Sequence, residues 1–314
     1  MSARGASLTL VVGLAVLGAA RVAAGAFAVG TTTRTFTTTS ATGTPRILPT
    51  IVWYPAVRRT GTPDALGLRD ATVRRGRFPL VVFMHGTCGR PDEATYLTKA
   101  LASQGFVVAA PAHPGLTADD LPGCLSLGAL LEAGANALPD VRVVIDAVLA
   151  EASDPSSRFA RRLRPAAMGM AGLSFGGWAT LLGAQEEPRV GAALALVPGG
   201  TALLPPGDIA VPTMVIGSER DQVVGFAESE KAYQRLAGPR FLVELLGGNH
   251  LSVVDSCSNL CVPGDISQDD AHRLVLHYAI PFLRRYVAGR PVATSRRLVP
   301  ATPGVTVEAE PRRR

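Results

Sequence analysis

Three residues able to form an acyl bond and pass a proton occur in order along the chain: Ser174, Asp221 and His250. Ser174 is centred in Gly172-Leu173-Ser174-Phe175-Gly176, with Gly177 and Trp178 following. A serine hydroxyl is a weak nucleophile until a base takes its proton, so it needs a histidine in hydrogen-bond reach and an acid to orient that histidine. No such partner stands beside Ser174 in sequence; the fold must supply both. In a chain with 33 glycines the pentapeptide by itself could be an incidental turn. Its flanks argue otherwise. Ala166 to Ala171 is an apolar run that reads as a buried strand, and Trp178 to Leu182 reads as the first turns of a helix. Strand, sharp turn and helix is the setting in which a serine is held strained and exposed.

The acid and the base are chosen by where strands end. Asp221 closes Gly217-Ser218-Glu219-Arg220-Asp221 after the apolar run Val211 to Gly217. Glu219 is its neighbour and rival, while Asp208 precedes that strand and Asp255 follows the histidine. His250 ends Gly247-Gly248-Asn249-His250 after the strand Arg240 to Leu246. Of the five histidines, His272 and His277 lie in a closing helix and His85 in a strand-end turn. The developing negative charge on a substrate carbonyl calls for two backbone N–H groups. Phe175, just after the serine, is one expected donor and Thr87, after the turn His85-Gly86, the other. His113 either lines the leaving-group side of the pocket or caps a loop. Trp178 either packs the helix after Ser174 or touches substrate.

The elements that must position these residues alternate. An opening pair, Thr31 to Thr39 and Arg46 to Tyr54, reads as antiparallel strands, followed by a polar loop from Pro55 to Arg77. Phe78 to Met84 is continuously apolar, as in a strand buried on both faces. A helix over Glu93 to Gln104, a strand over Phe106 to Ala110 and an irregular stretch from Leu116 to Asn136 follow. A helix over Pro139 to Ala152 then leads to the strand before Ser174. Strands over Val190 to Val197, Val211 to Gly217 and Arg240 to Leu246, with helices over Ala227 to Leu236 and Asp269 to Tyr286, complete the series. This order predicts an α/β fold: a mostly parallel sheet with helices on both faces and an antiparallel N-terminal strand pair. Right-handed crossovers bring the C-terminal ends of the strands to one edge, and with them His85, His113, Ser174 and Asp221.

Composition limits what this fold does. With 47% hydrophobic and 18% charged residues over 314 positions, one large domain with a substantial core is expected. The net charge of +6 is almost all arginine, since Lys99 and Lys231 are the only lysines. Its scatter, without interleaved aromatics, speaks against a nucleic-acid partner and for a solvated surface. Arg4 followed by the apolar run Leu8 to Ala20 and by Ala24-Gly25-Ala26 reads as an export signal over residues 1–26, with Ala26-Phe27-Ala28 an equal cleavage site. The run is short for a bilayer span, so no stable membrane anchor is expected once the signal is removed. The domain then covers 27–290, and 291–314, rich in Pro and Arg, reads as a flexible tail. Export to the periplasm or medium makes Cys88, Cys124, Cys257 and Cys261 candidates for two disulfides. The preferred pairing is Cys88–Cys124 with Cys257–Cys261, each tying a loop beside the serine; the other two pairings remain open. No metal site is expected, because no histidine or acid stands at ligand spacing beside Cys257-x-x-x-Cys261.

Met84-His85-Gly86, the Gly172–Gly176 turn, Asp221 and His250 together resemble the α/β-hydrolase superfamily. Ile51-Val52-Trp53-Tyr54-Pro55, Val107 to Gly115 and Asp140 to Asp146 are similar to exported bacterial hydrolases of the dienelactone-hydrolase-like kind, relatives of platelet-activating-factor acetylhydrolases and cutinase-like polyester hydrolases. The resemblance covers residues 30 to 290. It departs in two places: dienelactone hydrolases proper carry a cysteine where Ser174 stands, and Ala112 replaces the usual acid before His113. It implies a serine esterase acting on a small-molecule ester, with no cofactor and, since Glu186 to Gly207 is too short for a large lid, an open site. An acyltransferase using the same three residues, or a non-catalytic binding module on the same fold, are the rival readings.

Overall fold

The computed structural model describes residues 26–40, 42–257, 262, 265–291, 300 and 302–310. The expected export signal falls on residues outside these, apart from Ala26. Among the described residues, no helix is long and apolar enough to cross a membrane.

Six apolar runs form the parallel centre of one sheet: β5 (Phe78–Met84), β6 (Val107–Pro111), β7 (Leu163–Leu173), β8 (Ala193–Leu196), β9 (Thr213–Ser218) and β10 (Arg240–Leu245). Their order across the sheet is β10-β9-β8-β7-β5-β6, every neighbour parallel. On the β6 side the sheet continues antiparallel through β2 (Pro45–Ala56) and β1 (Ala28–Thr39). The small hairpin β3 (Thr62–Asp64) and β4 (Gly67–Arg69) closes that edge, within a stretch that sequence reads as loop. This is a mostly parallel α/β-hydrolase sheet with its antiparallel N-terminal pair.

Successive side chains of a strand face opposite ways, so each buried strand feeds two cores. Leu80, Val82 and Met84 join Val141, Val144, Ile145 and Leu181 on one face. Val81 and Phe83 join Leu97, Leu101, Leu274 and Phe282 on the other. The first face is covered by α2 (Leu127–Ser153), α3 (Phe175–Glu186) and α4 (Phe226–Gln234), the second by α1 (Thr95–Ser103) and α5 (Gln268–Tyr286).

Two further elements differ from the expectation. The helix expected to begin at Pro139 begins twelve residues earlier, where the Ser126 side chain accepts from the Ala129 N–H (3.1 Å). Pro139 is tolerated inside it because tertiary burial of Ala133, Asn136 and Ala137 holds the preceding turns. The small residues that look irregular in sequence lie within it: Gly134 faces Trp178, where a Cβ would make an ordinary contact at 3.6 Å. The second difference is at the C-terminus. Within the stretch read as a flexible tail, Val305–Glu310 forms β11, antiparallel to β10. Alternation supplies the reason: Val305, Val307 and Ala309 pack on the core while Arg240 reaches Glu310 (2.6 Å) across the pair.

Candidate active site

The turn after β7 is built by exclusion of side chains. A Cβ on Gly172 would sit 2.4 Å from the Gly176 carbonyl oxygen, and one on Gly176 2.0 Å from that of Met84. Only glycine lets β5, β7 and α3 approach so closely. Ser174 itself takes φ 55°, ψ −119° as the residue capping α3, and its N–H is held by the Leu196 carbonyl (2.9 Å). Non-glycine residues rarely adopt a positive φ, so the packing around it must impose the conformation.

Asp221 and His250 arrive from the ends of β9 and β10. The His250 ring lies between the other two side chains, with Nε2 2.9 Å from Ser174 Oγ and Nδ1 2.7 Å from Asp221 Oδ2. The second Asp221 oxygen accepts the N–H groups of Val223 (2.9 Å) and Val224 (3.0 Å). Burial alone would raise the Asp221 pKa, but the hydrogen bond and charge of His250 and these two N–H groups hold it below the usual carboxylate range. A charged Asp221 at Nδ1 fixes the proton on that nitrogen and leaves Nε2 to accept from the serine. His250 opens a 3₁₀ turn that Asn249 caps by accepting from Leu251 N–H (2.8 Å). Glu219, the rival acid, instead accepts from the Gly247 N–H (2.7 Å), tying the Asp221 loop to the His250 loop.

The loop after β5 carries the other expected donor. Gly86 lies against the serine: a Cβ there would be 3.3 Å from Ser174 Cβ. The Gly86 carbonyl is held by His85 Nδ1 (2.8 Å) and by the Gly89 N–H (3.0 Å). In a trans peptide the N–H points opposite the carbonyl, so these two bonds aim the Thr87 N–H away from His85 and Gly89. Glu93 closes the loop from below, its carboxylate accepting from Gly86 N–H (2.6 Å) and Arg90 N–H (3.2 Å). Burial pushes the Glu93 carboxyl up to about 7 against the pull of these two bonds. Cys88, next to Thr87, is joined to Cys124, as expected. Cys261, half of the other expected pair, lies outside the described residues.

Behind the loop sits a buried ionic network that sequence reading missed. Asp140, in α2, receives Arg46 through both oxygens (3.1 and 2.8 Å) and His113 Nδ1 at 2.9 Å. Burial opposes the Asp140 charge, and these partners still hold its pKa below the usual range. The His113 N–H donates to His85 Nε2 (3.0 Å), so His85 must carry its proton on Nδ1, toward Gly86. Full burial and the nearby His113 lower the His85 pKa to about 3 and keep the ring neutral. The network therefore runs from β2 through α2 and two histidines to the Gly86–Thr87 peptide. The signal was present: Asp140 interrupts an otherwise apolar stripe with Ala137, Val141 and Val144.

His113 and Trp178, each expected either beside a substrate or packed behind it, are both buried. His113 is 2% exposed and Trp178 8%, the latter packed on Phe175 at 5.3 Å between ring centres. Asp255, set aside as an acid, binds the start of α1 through Thr95 N–H (2.9 Å) and Tyr96 N–H (3.1 Å), joining the loop after His250 to the loop after β5.

A family model described as PET hydrolase-like matches residues 69–288. The chain belongs to this family. It is thereby a carboxylic ester hydrolase of the α/β-hydrolase type. Among solved structures, a ferulic acid esterase from Streptomyces cinnamoneus aligns over 90% of this chain and 96% of its own, with a TM-score of 0.70 and 21% identity. That likeness is one of fold. No curated protein matches the chain.

Proposed function

We propose that the protein is an exported serine esterase in which Ser174, His250 and Asp221 act as the catalytic triad. The continuous hydrogen-bonded line from Asp221 through His250 to Ser174 Oγ carries this reading. In acylation, His250 Nε2 takes the serine proton as Oγ attacks the ester carbonyl carbon, giving a tetrahedral oxyanion. The same imidazolium then protonates the departing alkoxide, and the C–O bond to the alcohol breaks, leaving acyl-Ser174. Water repeats the sequence, losing its proton to His250 and releasing the acid with Ser174 reprotonated. Asp221 holds the tautomer and stabilises the imidazolium throughout. The Thr87 and Phe175 N–H groups are the proposed oxyanion donors. Phe175 begins α3, where the unpaired N–H groups and the helix dipole favour negative charge. Every proton in this scheme moves between protein groups, substrate and water, so it calls for no metal or organic cofactor.

The substrate proposed is a bulky apolar ester. Leu203 and Val223 follow the ends of β8 and β9 on the Ser174 edge and are 74% and 68% exposed. An apolar rim of this kind suits the aromatic esters named by the family and by the structural relative. The cleaved form is expected outside the cytoplasm, where the Cys88–Cys124 bond persists.

Hydrolysis of p-nitrophenyl acetate, butyrate and octanoate by the protein and by Ser174→Ala tests the scheme. Turnover that disappears in the variant, with fluorophosphonate labelling of Ser174 in the parent, is expected. Absence of both turnover and labelling would overturn it.

A further inference from the structure

The charge that looks scattered in sequence is gathered by the fold. Arg74, Arg75 and Arg77 precede β5, and Arg161 and Arg162 precede β7, its parallel neighbour. The two segments touch: Phe78 N–H donates to the Arg162 carbonyl (2.7 Å), and Arg77 Nε to that of Leu163 (3.3 Å). Arg164 at the start of β7 reaches the Ala288 carbonyl (2.9 Å) after α5, bringing it beside Arg284 and Arg290. All lie at the N-terminal edge of the parallel strands, opposite the edge that carries Ser174.

Three observations set this face apart. First, none of these guanidiniums has an ion-pair partner among the described residues, whereas Arg34, Arg46, Arg142 and Arg189 elsewhere are each paired with an acid. Second, no Asp or Glu occurs from residue 71 to 91, or from 271 to 307, and Asp154 is the single acid between 152 and 165. Third, the arginines repel one another: besides burial, Arg284 and Arg164 lower the pKa of Arg290. Uncompensated like charges held together cost stability unless an anion covers them. Phe27 packs on Phe78 here (5.8 Å), and Arg74 lies over the Phe27 ring (5.2 Å).

We propose that this arginine face docks reversibly on the anionic phosphate headgroups of a phospholipid bilayer, with the Ser174 edge turned away from the membrane. Guanidinium forks match phosphate oxygens in pairs. A bilayer is favoured over a soluble polyanion because the arginines come from three segments ranged along one edge of the sheet, a broad face that a plane of headgroups meets at many points at once. The contact leaves the ester site free to work on substrate from the other side.

The test is co-sedimentation of the full chain with vesicles of phosphatidylcholine alone and of phosphatidylcholine with phosphatidylglycerol. The binding increment from phosphatidylglycerol isolates the arginine face from any apolar insertion. Arg75→Gln/Arg161→Gln, both exposed, is compared with Lys231→Gln/Arg273→Gln, which lowers net charge equally at other places. Each basic residue near an anionic surface contributes about fivefold, so the first pair is expected to lose about twenty-five-fold of the increment and the second far less. The increment should vanish near 1 M salt, where the screening length is about 3 Å. Ester turnover in solution should be unchanged in both variants. Equal losses in the two variants, or no preference for phosphatidylglycerol, would overturn the proposal. So would retention on a sulfated-polysaccharide resin that needs the same arginines without any vesicle binding, which would assign the face to a soluble polyanion.

Discussion

Arg46→Met tests whether the buried network behind Gly86 acts as one unit. Arg46 is 3% exposed and Asp140 fully buried, and the guanidinium meets both carboxylate oxygens. Removing it strands a carboxylate in the core with His113 as its remaining side-chain partner among the described residues. Breaking a buried pair from one side costs about 3–5 kcal/mol. At about 2 °C per kcal/mol for a chain of this size, the melting temperature should fall by roughly 6–10 °C. The sign with pH follows from the lowered Asp140 pKa. A depressed carboxylate stabilises the fold above the unfolded value of 3.8 and loses that contribution as pH falls through its folded pKa. The Arg46→Met deficit should therefore be largest near neutrality and shrink in acid. Because the network ends on the Gly86 carbonyl, kcat on a soluble ester should also fall, by less than the roughly 10²-fold that loss of an oxyanion donor costs, with KM little changed. Thermal melts at several pH values and steady-state kinetics read both effects. Arg46→Met/Asp140→Asn removes the stranded charge and should be more stable than Arg46→Met alone. If the double variant is the less stable of the two, or the deficit is constant with pH, the stranded charge is not the cause.

Asp221→Asn keeps the shape of the site but reverses the tautomer of His250, and kcat should drop by about 10⁴-fold with folding intact by circular dichroism. Cys88→Ser/Cys124→Ser opens a bridge spanning 36 residues, which should lower stability in denaturant by about 3–4 kcal/mol and loosen the loop bearing Thr87. Glu93 holds its proton to about pH 7 in the fold but gives it up near 4.5 when unfolded. Its contribution to stability should thus decline as pH rises through that window, and Glu93→Gln should flatten the pH dependence of the melting temperature there. Deleting residues 305–314 uncovers the β10 edge and should lower the melting temperature and promote aggregation, seen by light scattering.

What was legible in the sequence, and what was not, divides along a physical line. The parallel strands announce themselves because a strand buried on both faces must be apolar throughout, as Phe78 to Met84 is. Chain order then assigns Ser174, Asp221 and His250 to the ends of β7, β9 and β10, and the distances between them follow from the sheet. Local signals fail where a tertiary contact overrides them. Gly128, Gly134 and Pro139 oppose a helix one residue at a time, yet α2 runs through all three, buried along Ala133, Asn136, Ala137, Asp140 and Val141, with Gly134 facing Trp178. Val305 to Glu310 alternates in the manner of a strand, but a six-residue edge has meaning only once β10 lies beside it.

The same division explains the polar residues. A triad has a chain-order signature because each member must leave a different strand end, whereas the partners that hold its supports obey no spacing. Asp140 lies 94 residues from Arg46 and 27 from His113, and nothing but the fold equates those intervals. Such groups show in sequence as violations: an acid on an apolar helical stripe, or an arginine on the buried face of a strand. Arg46 in β2 and Asp140 in α2 are one of each. Two violations of opposite charge in one chain are a reason to look for each other, since neither could be buried alone. The arginines before β5 and β7 lack that complement. They break no burial rule and form no ion pair among the described residues, and that is the ground on which a contact with an anionic surface is proposed for them.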